Sequence, residues 1–362
     1  MAKRRVLILY ANVTGYLLRC IDALVDNHDT EVLLVHWKLW NQTPLELAQR
    51  ASVERVVKQD VDFATLRERC VRFDPDIVVT SGWMERDYLR IAKELHRDRG
   101  ATTVCAFDGH WNGTLRQRAG RIWFQLLQKP HFDYAWIPAQ GLLQYELARR
   151  LGFPKNRILT GVYSGDQAAF RAAYERGRPA RGVAYPKTFF YVGRFSPEKG
   201  TVELYQAFKA LSARGAAHGW RLVLVGAGPT ADQMPPTSDI EVRPFVQPHD
   251  LPSIVPEVGC LVLPSHRDQW GVVVHEFAAA GVPLLVTEVA GAVPGFVKDG
   301  YTGFTFDPRR AGDLERRLEQ LTRCSNDQLL AMGDRATALS FVATPDLWAA
   351  TLGFLPTRHD RR

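Results

Sequence analysis

Residues 268–283, DQWGVVVHEFAAAGVP, set two carboxylates eight positions apart, with a glycine between them and an alanine run behind. The apolar GCLVLPS before them reads as a buried strand, HRDQWG as a turn, and VVVHEFAAAG as a helix closed by Gly281. Glu276 then lies about one turn into the helix, on the face it shares with Val272 and Ala280, and Asp268 lies in the loop ahead. The N–H groups of a helix start suit an anion or a sugar hydroxyl. Gly271 and the alanines let a ligand or a neighbouring backbone come close. Carboxylates so spaced suit gripping hydroxyls at either end of an extended ligand better than acting as a close acid–base pair. The bland alternative is a surface aspartate and a helix glutamate without function.

A second cluster, FFYVGRFSPEKG at 189–200, reads as a strand, then Arg194, a Ser-Pro-Glu turn, Lys199, and Gly200 opening a helix. Arginine offers a planar fork to phosphate oxygens and lysine a mobile point charge, the pairing a diphosphate calls for. Two solvated loop cations are the competing reading. The strand LVLV followed by Gly226-Ala227-Gly228 is a poor dinucleotide fingerprint, because Ala231 fills the third glycine's place. Tight turning from strand to loop is the favoured role of Gly226, which also counts among the donor-binding candidates.

Two parallel sheets are expected to position these groups. Apolar runs RVLILYA, EVLLVHW, DIVVTSG, TTVCAFD, YAWIPA and RILTGVY alternate with segments of helical period, which indicates a parallel sheet covered on both faces. The pattern pauses at 166–186, DQAAFRAAYERGRPARGVAYP, a stretch that reads as a linker. It restarts with TFFYVGR, RLVLVGAG, IEVRPFV, GCLVLPS, PLLVTEV and GFTFD. Two doubly wound α/β domains follow, at 1–165 and 186–344, with ligands expected beyond the carboxyl ends of their strands and in the cleft between them.

At 362 residues the chain suffices for two such cores. Its five cysteines are scattered without zinc or disulfide spacing, which points to a reducing cytoplasm. The first apolar run is too short for a signal peptide core or a membrane span. A formal charge of +7 favours an anionic partner. Nucleic acid is disfavoured, since no zinc-finger or RNP-type pattern occurs. The two Asp-x-Asp strings read as a helix cap, for Asp60 to Asp62, and a turn, for Asp74 to Asp76, rather than as metal sites.

In order and spacing, VGRFSPEKG, LVLVGAG, VRPFVQPHDLPSIV, the 260–291 segment and DGYTGFTF resemble the retaining glycosyltransferases of family 4 (group 1), over roughly residues 189–306. The resemblance implies the GT-B fold, two Rossmann-like domains facing across a cleft. RILTGVYSGDQAAF looks like the family's entry into the second domain. PDLWAATLGFL looks like its final helix, here 345–362, returning to the first. The resemblance further implies a nucleotide diphosphate sugar as donor substrate, with a UDP-sugar favoured over a GDP-sugar, and neither metal nor cofactor. Arg194 and Lys199 would hold the diphosphate and Glu276 the ribose hydroxyls. Asp268 and the backbone of Gln269, Trp270, Gly271 and Val272 would hold the sugar, Val246 would meet the base, and Gly15 would lie where a first loop approaches the diphosphate. Three departures stand out. Asp268 replaces a usual glutamate, Gly295 stands where glutamate is frequent, and Asp108 takes the place of a usual histidine, with His110 two residues on. Either Asp108 or His110 could lie near the reacting carbon, Asp108 being preferred; a turn histidine bonded locally and a loop-capping aspartate are the alternatives.

Residues 113–130 combine Arg116, Arg118 and Arg121 with Ile122, Trp123, Phe124, Leu126 and Leu127. This basic, apolar helix could meet an anionic membrane surface carrying a lipid-linked acceptor, or pack its apolar side inward. The reading reached is a retaining hexosyltransferase of cell-surface polysaccharide, lipopolysaccharide or glycolipid synthesis. A sugar-nucleotide epimerase or hydrolase, and a non-catalytic subunit of a paired transferase, are the competing readings.

Overall fold

The structure is a computed structural model describing residues 3–39, 45–111, 113–137 and 142–361. The chain divides into two compact units, Met1–Tyr163 with Thr344–Arg362, and Ser164–Ala343.

The first unit holds β1 (Arg4–Tyr10), β2 (Thr30–His36), β3 (Val53–Val57), β4 (Ile77–Ser81), β5 (Thr102–Ala106), β6 (Tyr134–Ile137) and β7 (Ile158–Thr160). All pair in parallel, in the order β3-β2-β1-β4-β5-β6-β7. Its helices are α1 (Gly15–Asn27), α2 (Phe63–Phe73), α3 (Arg86–Arg99), α4 (Leu115–Leu127) and α5 (Leu142–Arg150), joined from the chain's far end by Pro345–Gly353. Period-two alternation in β1 explains why its run is apolar throughout. Val6 and Ile8 pack with Leu17, Leu24 and the final helix's Trp348 and Leu352. Leu7 and Leu9 pack with Leu66, Tyr88 and Ile91 from α2 and α3. Trp348 meets Trp136 of β6 at 4.8 Å between ring centroids, fixing the returning helix. That helix ends at Gly353, and only a short turn, Arg358–Arg361, follows it, so the expected span of 345–362 is too long. Strand β3 escaped the sequence reading because VERVV is a short edge run with two adjacent charged residues at its centre.

The second unit holds β8 (Thr188–Val192), β9 (Arg221–Val225), β10 (Ile240–Arg243), β11 (Cys260–Leu263), β12 (Leu284–Thr287) and β13 (Gly303–Phe306), all parallel, ordered β10-β9-β8-β11-β12-β13. Its helices are α6 (Gln167–Val183), α7 (Thr201–Ala213), α8 (Leu251–Ile254), α9 (Val272–Ala279), α10 (Val293–Phe296), α11 (Asp313–Thr322) and α12 (Asn326–Leu339). The returning helix Pro345–Gly353 is α13.

The supposed linker at 166–186 is largely α6 and belongs to this unit. Asp166 caps it by accepting from the Ala169 amide at 3.2 Å, and Phe170 packs on Phe277 of α9 at 5.5 Å. Tyr174 and Arg178 both bond Asp334 of α12, at 2.6 and 2.9 Å. The Gly and Pro that suggested a linker fall late in the helix, where Pro179 is tolerated because tertiary contacts already hold the first turns.

Candidate functional site

In each sheet the chain reverses winding direction beside one strand, between β1 and β4 and between β8 and β11. Loops leaving those strand ends diverge and leave a crevice, the usual ligand position in such sheets. The sequence motifs of the second unit fall at the β8/β11 point.

After β8 the chain runs through Gly193 and Arg194 into a short turn, Pro197–Lys199, and Gly200 opens α7 with φ 64°. A Cβ at Gly200 would strike the Pro264 carbonyl, so only glycine lets the β8 and β11 loops touch there. The amides of His266 and Arg267 donate to the Glu198 carbonyl, tying the same two loops. After β9, Gly226 lies against the Gly193 carbonyl and Gly228 against the Phe195 backbone, with Phe195 N–H donating to Ala227 at 2.9 Å. Gly226 thus permits the β8 and β9 loops to pack closely, the tight-turn role. The Tyr191 hydroxyl donates to the Arg194 carbonyl at 2.8 Å and fixes its backbone. Val246 follows β10, half-buried.

Each cation meets its own carboxylate. Arg194 lies 3.3 Å from Glu198, both more than a third exposed. Glu198's own backbone amide, and then the nearby Ser196 hydroxyl, hold that carboxyl below its ordinary range, so it stays ionised. Lys199 donates to Asp268 Oδ2 at 2.7 Å, with the aspartate side chain only 10% exposed. Ser265 Oγ donates to the same oxygen at 3.2 Å, and the Trp270 amide to Oδ1 at 3.4 Å. The sequence reading separated Lys199, for the diphosphate, from Asp268, for the sugar; the structure joins them. An arriving anion must share or displace these partners, and the lysine keeps two further N–H donors for that purpose.

The helix starts supply donors of another kind. Gly271, φ 88°, precedes α9 and Gly200 precedes α7, and neither start has a side-chain cap. In α9 the Val274 amide already donates to the Gly271 carbonyl at 2.9 Å, while the amides ahead of it, and those at the start of α7, have no side-chain cap. The Asp268–Gly271 loop is held from behind, where the Gly291 and Ala292 amides donate to Asp268 and Trp270 carbonyls at 3.3 and 2.9 Å. Gln269 and Val272 are half-buried beside it.

Glu276 sits one turn into α9 against the Gly165 backbone, where a Cβ would collide with its carboxylate. Burial, and then the neighbouring Asp166 charge, push its carboxyl up to about 7. Among the described residues its carboxylate has neither hydrogen bond nor ion pair. A carboxyl held in that condition is costly unless a ligand completes it. Sequence reasoning did not connect Gly165 and Asp166 with Glu276, although SGD between a strand and an apolar run marks a helix start that must pass close to something.

Trp270 contributes backbone only. Its indole is buried and its Nε1 donates to His275 Nε2 at 3.4 Å. With Nε2 accepting, the proton of neutral His275 resides on Nδ1, and the Gln167 amide, whose Nε2 lies 3.3 Å away, must turn its oxygen to the ring to accept it. Burial depresses the His275 pKa to about 3. This buried chain, Gln167–His275–Trp270, went unread because a histidine inside an apolar helix gives no spacing signal.

In the first unit the β1/β4 point opens into a pocket of about 410 Å³ lined by Tyr10, Tyr16, Trp83, Phe107, Asp108 and Tyr163 among others. The Tyr10 and Tyr163 hydroxyls meet at 2.6 Å, and burial raises both above the ordinary phenol range. The structure parts the two candidates for the reacting centre. Asp108 is exposed on this pocket. His110 turns away, its Nε2 2.7 Å from the Gln144 side-chain nitrogen and its carbonyl accepting from Gln117 at 2.7 Å. Gly15 begins α1, but the Thr14 hydroxyl already caps that helix by accepting from Leu17 N at 3.4 Å.

The helix α4 does not bury its apolar side. Only Phe124 is buried, while Leu115, Ile122, Trp123, Leu126 and Leu127 are exposed. No described helix is long and apolar enough to cross a membrane. Among the described residues no group of three or more His, Cys, Asp or Glu side chains is placed to hold a metal.

Residues 180–338 match the family described as "Glycosyl transferases group 1". A D-inositol 3-phosphate glycosyltransferase of Corynebacterium kroppenstedtii is 28% identical over 46% of this chain and 39% of its own length. The capsular polysaccharide biosynthesis glycosyltransferase CapM of Staphylococcus aureus is 31% identical over 39% and 37%. The chain thus spans about two fifths of the length of these curated relatives. Among solved structures, a trehalose-6-phosphate protein from E. coli bound with UDP-2-fluoro glucose superposes with TM-score 0.72, 13% identity, and coverage of 98% of this chain and 100% of that one. Anabaena Alr3699/HepE in complex with UDP and glucose gives TM-score 0.70, 15% identity, and 98% and 100% coverage.

Proposed function

We propose that this chain, which shares the GT-B fold of its structural neighbours and matches group 1 glycosyl transferases over residues 180–338, transfers a hexose from a nucleoside diphosphate sugar to an acceptor hydroxyl, with retention of configuration and without a metal, in the synthesis of a surface polysaccharide, lipopolysaccharide or glycolipid. One observation carries the reading: Arg194, Lys199, two helix starts without side-chain caps and an unpartnered Glu276 converge at one end of one sheet. A diphosphate needs the cations and amides, and a ribose diol needs an acceptor such as Glu276. A UDP-sugar is favoured over a GDP-sugar, in keeping with the UDP ligands of the two structural neighbours.

Cleavage of the bond between the anomeric carbon and the diphosphate oxygen leaves positive charge on the sugar and negative charge on the leaving group. Arg194, Lys199 and the α7 and α9 amides stabilise the latter, preorganised donors being often the largest catalytic contribution. The acceptor oxygen bonds the same face of the carbon, and its proton passes to the leaving phosphate oxygen. Asp108, which lines the aromatic pocket of the first unit, would hold acceptor hydroxyls. The exposed α4 face would rest on an anionic membrane surface.

Incubation with a panel of UDP- and GDP-sugars and lipid or soluble acceptors tests the proposal, with proton NMR of the product reporting the anomeric configuration. A glycoside of the donor's configuration supports it. Hydrolysis alone, a new nucleotide sugar, or nucleotide binding without turnover would favour the hydrolase, the epimerase or the non-catalytic subunit respectively.

A further inference from the structure

Beside the aromatic pocket, and sharing Trp83 and Met84 with it, lies a second and larger one of about 730 Å³ between α3 and α4, wholly within the first unit. Its lining includes Arg86, Arg90, Lys93, Arg116 and Arg121, and no aspartate or glutamate. Leu89, Leu147, Leu151 and Trp123 give it apolar walls. Some of these cations have structural work: Arg90 stacks on Phe63 at 3.9 Å, and Lys93 donates to the Leu127 carbonyl at 3.3 Å. Among the described residues, Arg86, Arg116 and Arg121 have no ion-pair partner.

Two buried polar atoms of the lining lack partners. Arg121 Nε is a donor without an acceptor, and Oε1 of Gln128, a residue only 5% exposed, is an acceptor without a donor. Such atoms cost free energy unless something fills them. An anion would satisfy the first and a hydroxyl beside it the second. An apolar chain would cover the leucines and run out along the exposed Ile122, Leu126 and Leu127.

We infer that the α3/α4 pocket binds an amphiphile with a phosphate ester head, a neighbouring hydroxyl and an acyl or prenyl tail. The shared wall at Trp83 and Met84 makes it the tail side of an acceptor whose hydroxyl reaches Asp108. Only this last assignment rests on the proposed transferase activity; the binding itself does not.

The test uses the full chain without donor and reads Trp fluorescence, Trp83 and Trp123 lining the pocket, together with calorimetry. The probes are monomeric lysophosphatidic acid of short chain, glycerol phosphate, which has the head alone, and the matching lysophosphatidylcholine, which lacks the net charge. The lysophosphatidic acid should bind at least about tenfold more tightly than either. Arg116→Gln with Arg121→Gln should weaken it about tenfold or more while UDP affinity stays unchanged. Glycerol phosphate binding equally well would overturn the proposal in favour of a free-phosphate site. So would indifference to the double substitution, or binding to anionic vesicles with none to the monomeric lipid. A chain that binds the lipid but no nucleotide would instead sink the transferase reading and leave the pocket standing.

Discussion

The ends of the two sheets differ in what finishes their helices. In the first unit α1, α2, α3, α4 and α13 begin under side-chain caps from Thr14, Asp62, Glu85, Thr114 and Thr344. In the second, α7 and α9 begin at glycines with no such cap, beside two cations. The capped helix starts have their amides met from within, and the pocket beside them offers aromatic walls and an exposed aspartate, a surface for ligand hydroxyls rather than for a diphosphate. The uncapped end has left donors unmade and cations poised, a surface for a multiply charged ligand. The same topology is thus specialised by the few residues beyond each strand.

The sharpest way to break that contrast is Arg194→Ala. Transfer should fall about a hundred- to a thousandfold. The thermal midpoint should stay within a degree or two, because an exposed pair such as Arg194–Glu198 contributes little stability. Undiminished turnover would place the anion elsewhere.

Asp268→Asn sharpens the division of labour. If Asp268 chiefly anchors Lys199, as the ion pair and the Ser265 and Trp270 bonds indicate, affinity for UDP, which has no sugar, should change about fivefold or more. If it chiefly grips the sugar, UDP affinity will hold and only that of the UDP-sugar will fall. Calorimetry with both ligands separates the two.

Glu276→Gln exposes the cost of the unfinished site. An ordinary glutamate ionises near 4.5, and here the carboxyl is pushed up to about 7. Between those values the folded chain keeps a proton that the unfolded chain has released, so this group's contribution to stability falls as pH rises and levels off above about 7. The variant should be more stable than wild type by roughly 3 kcal/mol above that range and equal to it below 4.5. It should bind UDP more weakly, by a margin that narrows as pH falls through about 7. A margin independent of pH would deny the glutamate its ligand role. Smallest of all, Gly226→Ala should lower the thermal midpoint by several degrees through its clash with the Gly193 backbone, and reduce turnover only as far as Arg194 is displaced.

Sequence reading reached the two sheets and the donor loops because their determinants are local: unbroken apolar strands, glycines at strand ends, cations at helix starts. It misplaced 166–186 because what stabilises α6 is Asp334 and Phe277, more than a hundred residues on. The Lys199–Asp268 pair was hidden for the same reason, since two loops 69 positions apart meet only when Gly200 lets the backbones touch. The exposed side of α4 could not be told from a buried one by periodicity, which fixes a face but not its neighbour. His110 and Asp108, two residues apart in one loop, gave no sign that they would open onto different pockets.

Hydrogen exchange with and without UDP tests most directly whether the second unit's loops hold the nucleotide. Exchange should slow at residues 193–201 and 268–276 and remain unchanged at 102–110. Protection confined to the first unit, or none at saturating UDP, would contradict the account.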